Sequence, residues 1–170
     1  PSVSEASWTY GQVVSIDSDG NTFVVGDPRA NADAGRFLVY RWTGTQWTQK
    51  GPTVNGVKGQ ASEFPELGSD LEISGDGNTV IAGVPGQDKG GWNKGVARVY
   101  RWSGGPWRQI GSGIVGDEDG AECGYSVSIS PNGRTIAVAQ EVGEIHPWWV
   151  NGKVSVFAWN GGNWVQKGND

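Results

Sequence analysis

The chain has 170 residues, enough for one ordinary domain with a buried core. Glycine (29 residues) and tryptophan (10 residues) are abundant, which favours strands joined by tight turns over helices. The net charge of −5 argues against nucleic acid as a partner, and no stretch approaches the roughly 20 apolar residues of a membrane span.

A strand–turn–strand unit comes first along the chain and occurs three times. Its copies are GQVVSIDSDGNTFVVGDP at 11–28, GSDLEISGDGNTVIAGVP at 68–85 and GYSVSISPNGRTIAVA at 124–139. We predict a first strand in each copy, at 12–16, 70–73 and 126–129. A tight turn with Asp-Gly or Asn-Gly follows, because these pairs tolerate the positive φ angles of hairpin turns. The second strands, at 22–26, 79–83 and 135–139, are nearly continuous apolar runs, which predicts burial on both faces.

A second unit follows each copy of the first. It reads LVYRWTGTQWTQKG at 38–51, RVYRWSGGPWRQIG at 98–111 and SVFAWNGGNWVQKG at 155–168. We predict a hairpin in each, with a glycine-containing two-residue loop that brings two tryptophans opposite each other. Such cross-strand aromatic pairs contribute about 0.2–1 kcal/mol each. The predicted pairs are Trp42–Trp47, Trp102–Trp107 and Trp159–Trp164.

A propeller blade is a sheet of four antiparallel strands, which is the number predicted for each repeat. The predicted fold is therefore all-β: a β-propeller of three four-stranded antiparallel blades in one segment, 1–170. The blades run from about 8 to 54, 65 to 114 and 121 to 170. Known propellers usually close with four to eight blades, and three open blades would expose two apolar faces. We therefore expect part of a longer propeller, or one part of an oligomeric or larger ring.

The strand–Asp-Gly–strand pattern of DSDGNTFVVGDP and GDGNTVIAGVP resembles the FG-GAP-like repeats of integrin-α-type β-propellers. The VYRW-G-W-Q-G form of the second unit resembles repeats of large secreted or surface proteins of bacteria and algae. The resemblance implies a propeller in an extracellular, cell-surface or organelle-lumen location. The family's Phe-Gly ahead of the first strand is replaced here by Tyr10-Gly11, Leu67-Gly68 and Cys123-Gly124.

The family's calcium loop has a partial counterpart in the first copy only. Asp17, Asp19 and Asn21 are the candidate ligands there, and water and carbonyl oxygens would have to complete the six to eight oxygens that Ca²⁺ takes. The alternative is a plain hairpin turn. No other cofactor is expected.

The variable connections at 29–36, 86–95 and 141–151 are the better candidates for recognition, because loops on a rigid scaffold often carry function. Exposed tryptophan favours protein interfaces and sugar faces. The alternative is that these side chains cap the hydrophobic edge of a blade. The candidate binding residues are Asp88, Trp92, Glu144, His146, Trp148 and Trp149.

Catalytic signatures are sparse. The acidic loops contain possible carboxylate pairs, namely Glu63, Glu66, Asp117, Glu118, Asp119 and Glu122. There is no nucleophile elbow, P-loop or metal-spaced cluster, and Cys123, predicted to be half-buried at a strand start, has only the distant His146 as a base. We therefore predict that the chain is not an enzyme.

The predicted function is a scaffold or protein-interaction module in a larger protein or assembly. Its expected partners are other subunits or further propeller blades. The alternative is a carbohydrate-binding, lectin-like propeller that uses loop tryptophans and acidic residues, with a glycan as its partner.

Overall fold

Three antiparallel β-sheets follow one another along the chain, one in each repeat, and together they form part of a β-propeller. This computed structural model describes residues 7–58, 64–140 and 152–168. The predicted all-β fold with three antiparallel blades is confirmed. Blade 1 contains β1 (Val14–Ile16), β2 (Thr22–Asp27), α1 (Ala30–Asp33), β3 (Arg36–Trp42), β4 (Trp47–Gln49) and β5 (Val54–Asn55). Blade 2 contains β6 (Leu71–Ile73), β7 (Thr79–Val84), β8 (Val96–Arg101), β9 (Arg108–Gln109) and β10 (Ile114–Val115). Blade 3 contains β11 (Val127–Ile129), β12 (Thr135–Gln140), β13 (Lys153–Trp159) and β14 (Trp164–Gln166).

The outer strand of the first two blades is divided into two pieces. In blade 1, β4 and β5 both pair with β3, and in blade 2, β9 and β10 both pair with β8. The break in blade 1 falls at Gly51-Pro52, where proline has no N–H to donate to the ladder. Each blade therefore keeps four strand positions, and we call its first strand the inner strand.

The turn between the first two strands has the predicted geometry. Gly20 has a φ of 73°, which glycine adopts without a steric penalty. In blade 1, Asp17 Oδ1 accepts from the backbone N–H of Thr22 at 2.9 Å. The hydroxyls of Ser74 and Ser130 accept the corresponding backbone bond in the other blades, each at 3.0 Å. The turn is thus held by a side-chain acceptor in every copy.

The three predicted tryptophan pairs form. Their ring centroids lie 5.4, 5.7 and 5.2 Å apart in blades 1, 2 and 3. The second tryptophan of a pair also reaches the preceding blade. The Trp107 indole N–H donates to the carbonyl of Lys50 at 2.8 Å, and that of Trp164 donates to the carbonyl of Ile110 at 3.3 Å. The outer hairpin therefore joins neighbouring blades as well as bracing its own.

The core lies between the blades. Leu71 on the inner strand of blade 2 packs with Val24, Phe37 and Val39 of blade 1. The same arrangement recurs between blades 2 and 3, where Ile129 packs in a cluster formed by both blades. The second strands are continuous apolar runs, so each strand has apolar side chains on both faces. One of these faces packs against the next blade.

Side chains of one inner strand also bind the backbone of the next. The N–H of Ile73 donates to the hydroxyl of Ser15 at 3.2 Å. The N–H of Ile129 donates to the carboxylate of Glu72, which occupies the same position one blade later. We call this series of bonds the inner-strand zipper. It provides acceptors for backbone N–H groups that would otherwise be unpaired at the edge of a strand.

The second strands β2 and β7 are buried on both faces, as predicted, but β12 is only partly buried. The difference arises because, among the described residues, no further sheet packs on the far face of blade 3. None of the helices in the described part of the chain is long and apolar enough to cross a membrane.

Candidate functional site

The loops at one end of the inner strands stack from blade to blade. The connection between the second and third strands of one blade meets the segment that leads into the next inner strand. Gly35 forms a parallel bridge with Leu67, and Gly95 forms the same bridge with Cys123. Because the contact repeats, loops from all three blades gather on one face of the array.

This face contains two adjoining cavities, with volumes of about 650 and about 470 Å³. They share four lining residues: Arg29, Glu66, Pro85 and Glu122. We call the combined feature the loop-face cleft. Its remaining lining includes Phe64, Asp88, Trp92 and Asn93 on one side and Gln12, Ser69, Asp70, Tyr125 and Ser126 on the other.

Aromatic rings line the cleft from blades 2 and 3. Phe64, Trp92 and Tyr125 are each about half exposed, at 50, 52 and 56%. Large apolar rings left this open on a rigid surface are typical of binding sites.

Charge in the cleft is mainly negative. Arg29 supplies a guanidinium, and the carboxylates come from Glu66, Asp70, Asp88 and Glu122. Arg29 lies 3.5 Å from Glu66 and 3.9 Å from Asp33, so its charge is already compensated. Burial raises the pKa of the Glu66 carboxyl above its usual value; the Asp33 charge adds to this, whereas Arg29 opposes it. A carboxyl of this kind can give up or accept a proton nearer neutral pH than an exposed one.

The backbone under the two glutamates is unusual. Glu66 and Glu122 occupy matching positions in successive blades and have φ angles of 56° and 44°. Non-glycine residues rarely adopt this region, and such conformations concentrate at functional sites. Backbone hydrogen bonds hold both residues in place. The Glu66 N–H donates to the backbone carbonyl of Asp33 at 3.1 Å, and the Glu122 N–H donates to the backbone carbonyl of Asn93 at 2.9 Å.

Of the predicted binding residues, Asp88 and Trp92 both line the cleft. Asp88 Oδ1 accepts from the backbone N–H of Asn93 at 2.6 Å, which closes the loop around Trp92. The Trp92 carbonyl accepts from Gly120 N–H at 2.7 Å, which anchors its backbone to the segment that leads into blade 3. The other four candidates, Glu144, His146, Trp148 and Trp149, lie outside the described residues. The predicted set of binding residues therefore stays a prediction.

The other acidic loop residues do not all converge. Asp117 pairs with Lys153 at 2.9 Å on blade 3, away from the cleft lining, and Glu63 lies outside the described residues. Cys123 is fully buried, not half-buried, and lies four residues ahead of β11. Burial raises the pKa of its thiol to about 12, so little thiolate forms at neutral pH.

The candidate calcium residues form a closed turn. Asp17 Oδ1 accepts from Asn21 and Thr22 N–H, each at 2.9 Å, and Asp19 Oδ1 accepts from Asn21 N–H at 2.8 Å. Within residues 7–58, 64–140 and 152–168, no group of three or more His, Cys, Asp or Glu side chains is arranged to hold a metal ion. These contacts favour the plain turn, and the calcium site stays a prediction.

Sequence reasoning did not identify Phe64 or Tyr125 as site residues, and it placed Arg29 in a candidate recognition loop without naming it as a binding residue. Phe64 and Tyr125 lie in segments that lead into inner strands, and Arg29 stands at the edge of a connection. The repeat itself offered a signal for Tyr125. This residue shares its repeat position with Gln12 and Ser69, and all three line the same cleft.

No protein-family model matches the chain, and no curated protein sequence matches it. Solved structures do. The chain is similar to a provisionally assigned 6-phosphogluconolactonase from Bacteroides uniformis (TM-score 0.58, 17% identity, 91% of this chain and 39% of that one). It is also similar to the periplasmic gluconolactonase of Pseudomonas aeruginosa (TM-score 0.55, 17% identity, 92% and 41%). A thermostable family-43 glycoside hydrolase matches with a TM-score of 0.50 at 16% identity, over 92% of this chain and 56% of that one.

These similarities establish the β-propeller fold. The chain spans about two fifths of the length of the two lactonase structures. The prediction that the chain is not an enzyme is wrong as an inference from fold and motifs, because enzymes are among these neighbours. A catalytic site is recognised by the geometry of its groups and not by their order in sequence, so the lack of a short linear motif does not exclude catalysis.

Proposed function

We propose that the chain is the ligand-binding part of a β-propeller and that its loop-face cleft binds a saccharide. The observation that carries the proposal is the combination of three half-exposed aromatic rings with four carboxylates in one cleft.

The two kinds of side chain suit the two surfaces of a sugar. A pyranose ring presents C–H groups that pack on an aromatic face, and its hydroxyls donate hydrogen bonds to carboxylate oxygens. Trp92 and Phe64 offer the apolar faces, while Glu122 and Asp88 offer acceptors on the same lining. The cavity of about 650 Å³ lies in the usual size range of small-molecule sites.

The charge of the cleft selects among sugars. Among the described residues that line the two cavities, Arg29 is the only cation, and it is already paired with Glu66 and Asp33. The lining therefore carries more negative than positive charge, which disfavours an acidic sugar or a sugar phosphate. We expect neutral saccharides to bind better than anionic ones.

A second candidate function is a scaffold or protein-interaction module within a larger protein or assembly. The exposed sheet faces at both ends of the blade array support it, as does the resemblance to FG-GAP-like repeats. We further propose an extracellular, cell-surface or organelle-lumen location. The resemblance to secreted and surface repeats supports that location, and one of the structural neighbours is periplasmic.

Substitution of Trp92 by alanine is expected to weaken saccharide binding at least about tenfold, which corresponds to about 1.4 kcal/mol. The probes are glucose, galactose, mannose, N-acetylglucosamine and cellobiose, each titrated into the chain while heat or tryptophan fluorescence is followed. Trp8→Ala is the matched control, because Trp8 is 94% exposed and lies outside the cleft lining.

The saccharide proposal fails if none of the five sugars binds at millimolar concentration. It also fails if the Trp92 and Trp8 variants bind equally well. Glucose 6-phosphate serves as an anionic comparison, and tighter binding of this compound than of glucose would contradict the charge argument.

A further inference from the structure

The loop-face cleft is divided into two compartments, and each is lined by an aromatic ring of its own. The cavity of about 650 Å³, which we call the outer compartment, is lined by the rings of Phe64 and Trp92. The cavity of about 470 Å³, which we call the inner compartment, is lined by the ring of Tyr125. Glu66 and Glu122 line both compartments and therefore lie where the two meet.

The inner compartment lies beside the segments that enter the inner strands. Gln12, Ser69 and Tyr125 occupy one repeat position in blades 1, 2 and 3, and all three line this compartment. Asp70 and Ser126 follow one position later and line it too. Because the inner strands contact one another from blade to blade, these side chains converge from successive blades on a single cavity.

The outer compartment is built by the connection between β7 and β8 of blade 2. An added Cβ at Gly86 would overlap the carbonyl oxygen of Phe64, so this connection lies directly against the segment that carries Phe64. At its other end, the bond from Gly120 N–H to the Trp92 carbonyl ties the connection to the segment that leads into blade 3. The two aromatic residues are therefore held by packed backbone, which lowers the cost of ordering the site around a ligand.

Each compartment can hold one sugar residue, but the two differ in balance. The outer compartment has two rings and the carboxylate of Asp88, which favours stacking of a pyranose ring. The inner compartment has one ring and a larger share of polar groups, which suits the hydroxyls of a second sugar. Those polar groups are the amide of Gln12, the hydroxyls of Ser69 and Ser126, and the carboxylate of Asp70.

Asp70 retains capacity to bind a sugar hydroxyl. Its Oδ1 accepts from the N–H of Leu71 at 3.0 Å, and its Oδ2 accepts from the N–H of Val127 at 2.7 Å. An ionised carboxylate has about four lone-pair sites, so each oxygen can accept one further hydrogen bond. The two backbone bonds also fix the direction of the side chain.

We infer that the loop-face cleft binds two linked sugar residues, one in each compartment, with the glycosidic linkage beside Glu66 and Glu122. The inference rests on the proposed saccharide function and specifies its ligand as a disaccharide unit. Since the two sugars are covalently joined, occupation of the second compartment follows from binding in the first as an intramolecular event. A disaccharide therefore binds more tightly than either of its sugars alone.

The test compares disaccharides with methyl glycosides by calorimetric titration into the 170-residue chain. A methyl glycoside carries the linkage oxygen but no second ring, so it isolates the contribution of the second compartment. At least one disaccharide should bind at least about tenfold more tightly than its methyl glycoside. The matched pairs are cellobiose and methyl β-glucoside, lactose and methyl β-galactoside, mannobiose and methyl β-mannoside, and chitobiose and methyl N-acetyl-β-glucosaminide.

Two variants assign the two compartments. Tyr125→Ala should reduce the affinity for the disaccharide to that for the methyl glycoside and leave the latter unchanged within about twofold. Trp92→Ala, in the outer compartment, should weaken both ligands. The backbone bond from Tyr125 N–H to the Glu122 carbonyl at 3.0 Å does not depend on the side chain, so the Tyr125 variant should keep the wild-type urea midpoint.

The outcomes separate this inference from the function on which it rests. If methyl glycosides bind and no disaccharide binds more tightly, the two-compartment inference is overturned while the saccharide function stands. Equal weakening of both ligands by Tyr125→Ala also overturns the inference. If no saccharide binds at all, the saccharide function is overturned and the inference with it.

Discussion

Replacing Phe37 with alanine is expected to lower the free energy of unfolding by about 3–5 kcal/mol. Phe37 is fully buried between blades 1 and 2. Its ring contacts two aromatic rings of blade 2 edge-on, Tyr100 at 5.2 Å and Trp107 at 6.4 Å between centroids. The substitution removes these contacts and leaves a cavity that the paired sheets cannot close.

Urea denaturation followed by tryptophan fluorescence measures this effect. Phe64→Ala is the matched control, since it deletes the same atoms from a ring that is 50% exposed. We expect a cost below about 1 kcal/mol for the control. Equal losses for the two variants would contradict the placement of the core between the blades.

The second large effect is expected at Gly83, where alanine should destabilise the chain by about 1–3 kcal/mol. Here β7 passes so close to blade 3 that an added Cβ would overlap the carbonyl of Gly124. That atom belongs to the backbone, so no side-chain rotation can relieve the overlap. The two sheets must separate, and the apolar contacts between them weaken.

Gly105→Ala is the control for Gly83. Gly105 lies in a hairpin loop and does not need a positive φ, and an alanine Cβ there would meet no heavy atom within 4 Å. Its substitution should leave the urea midpoint unchanged or raise it slightly. An unchanged midpoint for Gly83→Ala would show that blades 2 and 3 do not approach each other at this point.

The sequence predicts the blades well because their determinants are local. Asp-Gly and Asn-Gly turns fix the first hairpin, and the spacing of Trp42 and Trp47 fixes the register of the second. The strand bounds were less accurate at the inner strand. β1 begins at Val14 and not at residue 12, because the Gln12 N–H turns back to the carbonyl of Thr9 at 3.1 Å.

The cleft could be predicted only in part. Asp88 and Trp92 stand out because they lie outside the repeated units. Arg29, Phe64 and Tyr125 come from different segments, and only the stacking of one blade's loops on the next brings them together. A repeat pattern identifies which positions are equivalent, but it does not show which of them face a common cavity.

The sequence is equally uninformative about catalytic groups that come together only in the folded chain. The carboxylates Glu66 and Glu122 lie 56 positions apart in sequence and carry no linear motif. Their shared left-handed backbone and their common cleft become visible only in three dimensions. Absence of a motif was therefore a weak ground for excluding an enzyme.

The most direct test of consecutive blades joined through their inner strands is hydrogen exchange of the Ile73 and Ile129 amides, resolved by NMR. Both should exchange slowly, because Ser15 and Glu72 of the preceding blades accept their hydrogens. In Ser15→Ala, exchange should accelerate at Ile73 and stay unchanged at Ile129. Fast exchange of both amides in the unaltered chain, or no response of Ile73 to the substitution, would contradict the blade arrangement described here.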